Sequence, residues 1–235
     1  MDMNPLAQLK TDQTYGIFIE KGEVAMRKPA SQHRRRSQAD RVRETRETLF
    51  EAVLDCLDQK GYADTTIAAV QDMSGLSRGA LMYHFATRQE MIVATAKRLL
   101  EAAIRPTRRL STARAMAGGN VADLLMFYWR HIVNTREGRA FIEILVACRT
   151  DAALDLALAP HFAEWDEEIG KAAQESFRAV SGLEDDAAML WSMARAFLRG
   201  LVIHARFVDD PMRLEGMVRR FGMMMAEELS LRGRM

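Results

Sequence analysis

The predicted fold is all-α: an N-terminal three-helix domain built on a helix-turn-helix, then a longer C-terminal helical domain. Three observations predict it. Apolar residues recur three and four apart along most of the 235 residues. Gly, Pro and paired Asp breaks cut these stretches into helix-length pieces. Strand-like alternation is absent; the one candidate, Tyr15–Ile19, is too short to count. A hydrophobic content of 49% supplies a core for one large domain or two smaller ones.

In chain order, residues 1–36 read as a disordered tail ending in a basic arm. Met26 precedes that arm, so the first 25 residues are either tail or an over-extended start, with Met26 as the native beginning. Ser37–Lys60 is the first helix, striped with Leu49, Phe50, Val53, Leu54 and Leu57 and stopped by Gly61, with Tyr62 plugging the core after it. A helix-turn-helix follows over 66–84, closing a domain at 37–86. The body, 87–235, opens with a long helix from Thr87 that Pro106 kinks or ends. Gly118-Gly119-Asn120 breaks the chain, and Asn120 caps the next helix. Helices are then expected over Val121–Thr135, Arg136–Arg149, Asp151–Ala159, Pro160–Val180, Asp185–Phe207 and Pro211–Leu231.

The helix-turn-helix is read residue by residue. Thr65 or Thr66 caps its first helix, whose Ile67, Val70 and Met73 form one apolar face. Gly75 ends it in left-handed geometry, and Leu76 drops into the core. Ser77 caps a second helix that runs to about His84. Such a second helix enters a DNA major groove. Charge agrees: residues 27–46 hold eight Arg or Lys against Asp40 and Glu44. By segment the net charge is −2 for residues 1–26, +6 for 27–110 and −3 for 111–235. A basic head on a mildly acidic body suits nucleic acid, although a charged face is also what solvent alone requires.

Gly61-Tyr62, Thr65-Thr66, Gly75-Leu76-Ser77-Arg78-Gly79-Ala80-Leu81, His84-Phe85 and Arg88-Gln89-Glu90-Met91 closely resemble the tetracycline-repressor (TetR/AcrR) family over about residues 40–95. Arg139–Asp166 also resembles the bodies of choline-responsive, BetI-like repressors. The resemblance implies a homodimeric repressor whose heads each bind half of a palindromic operator, and a small ligand in the body that releases the DNA. It implies that Thr66 caps and touches phosphate, and that Ser77, Arg78, Gly79 and Ala80 face base edges. Tyr83 and His84 follow on the DNA side, Phe85 packs inward, and Arg88 stands where the family has a phosphate-binding Lys. Met82 departs from the pattern, occupying the position of a phosphate-binding Tyr. Arg78 suits bidentate recognition of guanine, with phosphate as the competing role. Arg34, Arg35 and Arg36 serve either phosphates or the minor groove, and phosphates are favoured.

The last two helices are apolar on more than one face. Either they are central in the monomer or a second copy covers them. Two-fold symmetry of helix-turn-helix binding favours a dimer interface through Trp191, Phe197, Leu198, Leu201, Met217, Phe221 and Met224. A small-molecule pocket is expected among Trp129, Phe141, Trp165, Trp191 and Arg195, with His131 and His204 as further candidates.

Other classes are disfavoured. Paired Glu-x-x-His motifs, Gly-x-Ser-x-Gly, a phosphate loop and a zinc Cys cluster are all missing, and His161-x-x-Glu164 has the reverse order and no partner. Cys56 and Cys148 read as small core residues in a reducing cytoplasm. The apolar runs Leu124–Trp129 and Phe141–Cys148 are too short to cross a membrane. The expectation is a cytoplasmic, nucleoid-associated regulator of transcription. It is not an enzyme, it takes no metal or cofactor beyond a small-molecule effector, and its partners are duplex DNA and a second copy.

Overall fold

The computed structural model describes residues 16–20, 23–27, 38–108, 119–183 and 185–232. Arg34, Arg35 and Arg36 lie outside them. The chain forms two units, Met1–Arg43 and Glu44–Met235. The first holds a hairpin where a disordered tail was expected: β1 (Gly16–Glu20) pairs antiparallel with β2 (Glu23–Arg27). Its sequence cue is two short apolar runs around Lys21-Gly22, a separation that suits a two-residue hairpin loop.

α1 spans Gln38–Asp64, and its regular turns break at Gly61, with φ 78° and ψ 175°. Its stripe of Leu49, Val53, Leu54 and Leu57 is fully buried, as is Cys56, whose thiol burial pushes up from its ordinary range. α2 (Ile67–Ser74) starts at Thr66, whose hydroxyl accepts from the Ala69 amide at 3.1 Å. It ends at Gly75, left-handed at φ 67°. Of its expected apolar face only Val70 is buried; Ile67 is half-buried and Met73 is exposed. Residues three apart drift about 60° per step around a helix, so one narrow seam cannot hold all three. α3 (Arg78–His84) starts at Ser77, whose hydroxyl accepts from the Ala80 amide at 3.2 Å.

α4 (Arg88–Arg108) runs through Pro106, and its backbone shows no end there. α5 (Val121–Tyr128) is capped by Asn120, which accepts from the Asp123 amide at 2.8 Å. It passes into a π-helical turn, Trp129–Val133, in place of one helix to Thr135. α6 covers Arg136–Ala147. α7 is one helix, Ala152–Ser176, where two were expected around Pro160. Pro160 and Leu156 both lie on the exposed side, so water can take the carbonyl that the missing N–H leaves unpaired. α8 (Asp186–His204) and α9 (Pro211–Glu228) complete the helices.

Two segments expected to extend helices are strands. β3 (Phe177–Ala179) and β4 (Leu229–Leu231) pair antiparallel, Phe177 opposite Leu231. The pairing joins the ends of α7 and α9 and buries Phe177 and Leu229. α5 packs most extensively against α9, α4 against α7, and α7 against α8. Residues from Glu44 onward form one compact unit.

The expected dimer residues divide. Trp191, Leu198 and Leu201 belong to the protomer's own core; Trp191 is 1% exposed and packs edge-on against Tyr128 at 5.0 Å. Phe197, Met217 and Phe221 are half-buried, with Phe197 and Phe221 stacked at 3.9 Å. Met224 is exposed, together with Met189, Met193, Met212 and Met223. The steps 187, 191, 194, 198, 201 trace the inward seam of α8, which takes the residues the composition alone placed outward. No helix among the described residues is long and apolar enough to cross a membrane.

α9 approaches α5 closely at Gly222, where an added Cβ would lie 2.7 Å from Ala122 Cα. Gly216, on the same helix, faces open space. Gly222→Ala should therefore destabilise by roughly 1–3 kcal/mol through overpacking, whereas Gly216→Ala should stabilise by roughly 0.5–1 kcal/mol through helix propensity. Urea unfolding of both variants checks the contrast.

Candidate functional site

α3 is a seven-residue helix anchored by two residues. Leu81 is fully buried and Phe85 nearly so, while Arg78, Gly79, Met82 and Tyr83 face solvent. Tyr83 is 75% exposed, and its ring meets His84 edge-on at 5.3 Å. Ala80 and His84 are half-buried. Met82, at 39% exposure, belongs to the surface and not to the core. Thr66 and Ser77 stand at the N-termini of α2 and α3, where backbone N–H groups point outward and favour anions.

Arg88 has partners within its own chain. Its Nε donates to the Thr65 carbonyl at 2.7 Å and an Nη donates to the Tyr62 carbonyl. Its guanidinium lies 4.1 Å from the centre of the Tyr62 ring. These bonds lock α4 to the turn between α1 and α2 and use two of the five guanidinium N–H groups. Tyr62 extends the clamp, donating its hydroxyl to Asp151 Oδ2 at 2.6 Å. Glu143 on α6 accepts the Tyr62 amide at 3.1 Å, beside the break at Gly61.

α6 grips α1 with two further residues. Arg136 reaches Glu51 at 2.5 Å and Asp55 at 2.9 Å. Arg139 holds Asp58 with both ends of its fork, at 2.5 and 2.9 Å. These pairs raise both guanidinium pKa values above the ordinary arginine range.

The other side of α6 lines a cavity of about 320 Å³. Of the pocket candidates, Phe141, Trp165, Arg195 and His131 line it. Trp129 and Trp191 do not; both are packed into the core, and His204 is exposed elsewhere. Sequence reasoning missed Tyr128, Glu137 and Arg199. The cue for Arg199 was its spacing: it follows Arg195 by one turn on the same face of α8. Gly138 lets α6 begin directly beneath the π-helical turn, since a Cβ there would lie 2.1 Å from the Val133 carbonyl. Among the described residues no group of His, Cys, Asp and Glu is arranged to hold a metal.

The model of the bacterial regulatory proteins of the tetR family matches residues 49–95. A helix-turn-helix-type transcriptional regulator of Mycobacterium bovis, Mb2936c, is 30% identical over 149 residues, 63% of this chain and 74% of that protein. The chain belongs to the TetR family. CymR of Pseudomonas putida is 46% identical over 68 residues, 29% of this chain, and the match spans only 34% of CymR. A TetR-family regulator from Rhodococcus superposes with TM-score 0.56 at 20% identity, covering 78% of this chain and 97% of that one. The multidrug-binding protein EbrR, solved with ethidium, superposes with TM-score 0.52 at 23% identity, covering 77% and 98%. As a TetR-family member the chain is a DNA-binding transcriptional regulator and not an enzyme.

The Tyr62–Asp151 bond makes a pH prediction. Accepting that hydrogen bond holds the Asp151 carboxyl below its ordinary value of 3.8. The folded chain then binds that proton less readily than the unfolded chain. The stability so contributed is present above the ordinary carboxylate range and is lost as pH falls below it. Tyr62→Phe should lower the urea midpoint at neutral pH and flatten its decline between about pH 5 and about pH 3. Midpoints across that range for both proteins check the sign.

Proposed function

We propose that this regulator is a repressor: a homodimer that holds an inverted-repeat operator and lets go when a small molecule fills the cavity. One observation carries the reading. α3 exposes Arg78, Gly79 and Tyr83 while Leu81 and Phe85 fix the helix from below. Arg78 opens the helix, where a side chain reaches base edges and can grip guanine with two hydrogen bonds. Ser77, Gly79 and Ala80 lie close to the bases. Thr66, Tyr83 and His84 contact backbone phosphate, joined by the basic arm of Arg34, Arg35 and Arg36.

Dimerisation is supported by the methionines left exposed on α8 and α9, among them Met189, Met193, Met223 and Met224. Apolar side chains clustered on two adjacent helices suit a four-helix contact with a second copy. The effector reading is supported by the cavity, whose volume is at the lower end of the roughly 300–1,000 Å³ of small-molecule pockets. EbrR, of the same fold, has been solved with ethidium and with imidazole. The protein would act in the cytoplasm, at the nucleoid.

The test is selection of genomic fragments by the full chain. The expected product is an inverted repeat with half-sites about one helical turn apart, or a multiple of that. A monomer bound to single half-sites would contradict the reading. On the selected operator, Arg78→Ala should cost roughly 1–3 kcal/mol and relax base choice at one position per half-site. Uniform weakening on all sequences would place Arg78 on phosphate instead.

A further inference from the structure

The cavity holds a guanidinium that has no ion pair among the described residues. Three charged residues line it: Glu137, Arg195 and Arg199. Glu137 is bonded to Arg136 at 2.9 Å, which it shares with Glu51 and Asp55. Arg195 is bonded to Asp166 at 2.6 Å, on a carboxylate that is 64% exposed at the surface. Arg199 has no ion pair among the described residues. Its guanidinium lies 5.1 Å from the Trp165 ring centre and 5.8 Å from that of Phe141. Of the two arginines in the cavity, only Arg195 has a carboxylate partner among the described residues.

Burial and the neighbouring Arg195 push the Arg199 pKa down to about 10, which leaves it charged at neutral pH. Removing a guanidinium from water without a counter-ion is costly. Two aromatic faces offset part of that cost. Two donors of the cavity lining, Arg195 Nε and Trp165 Nε1, are buried with no hydrogen-bond partner.

We propose that the cavity binds a flat aromatic monocarboxylate, its ring among Phe141, Trp165 and Tyr128 and its carboxylate on Arg199. This rests on the reading of the cavity as the effector site. The fork of a guanidinium matches a carboxylate with two hydrogen bonds. One carboxylate matches the one cavity guanidinium left without a carboxylate partner among the described residues. An organic cation is disfavoured, because Arg195 and Arg199 line the same cavity and would repel it.

The test uses three probes of one shape on the full chain: 2-naphthoate, 2-naphthamide and 2-naphthyl-trimethylammonium, measured by isothermal titration. Naphthoate should bind roughly tenfold to a hundredfold tighter than the amide, the factor a charge-assisted hydrogen bond supplies, and the ammonium weakest. Arg199→Gln should remove that preference by weakening naphthoate and sparing the amide, and Arg199→Lys should keep part of it. If Arg199→Gln does not fold, the wild-type ranking and the Lys variant decide. Equal binding of all three, preference for the ammonium, no binding, or a naphthoate preference unchanged in Arg199→Gln would each overturn the anion site. The effector reading is judged separately, by operator release. A carboxylate that binds through Arg199 without altering operator affinity would overturn that reading and leave the anion site standing.

Discussion

The grip of α6 on α1 is the contact from which the functional geometry follows. Arg139 holds Asp58 with both ends of its guanidinium, Arg136 spans Glu51 and Asp55, and Glu143 takes the Tyr62 amide where α1 breaks. Magnitudes separate the roles. Each fully buried Leu of α1 contributes roughly 1.5–3 kcal/mol, against roughly 0.2–1 kcal/mol for a half-exposed ion pair. Apolar packing therefore makes the head stable, and the charges fix its register on the body. Asp58, only 15% exposed, gives Arg139 the better-shielded of these pairs. The far side of α6 lines the cavity, so the element that would sense a ligand also holds the head.

The recognition helix depends on that seating. A helix of seven residues is too short to persist alone in water. Leu81 and Phe85 bury it on the head, and Thr66 and Ser77 cap the two helices that flank Gly75. What is left over faces outward, and that remainder is the surface proposed to meet DNA. Arg88 helps to seat the head, since two of its donors are held by the carbonyls of Tyr62 and Thr65.

What was legible in the sequence was local. Thr66, Ser77 and Asn120 cap helices because each accepts a hydrogen bond from an amide three residues on. Gly61 and Gly75 break the chain because they adopt positive φ. What was missed was set by partners distant in sequence. β3 and β4 pair across some fifty residues, and neither triplet alone carries a period. Trp191, Leu198 and Leu201 looked like interface because composition does not say which side of a doubly apolar helix its own protomer covers. The cavity was half legible: aromatic residues and Arg195 were visible, but Arg199 gained meaning only when Phe141 and Trp165 were brought beside it.

Native-state hydrogen exchange on the Arg136→Gln/Arg139→Gln double variant tests this most directly. If α6 seats the head, amides of α2 and α3 such as Val70 and Leu81 should lose roughly 1–2 kcal/mol of protection, while Leu198 and Val218 in the body keep theirs. Equal losses in both regions, or no loss in the head, would contradict the account.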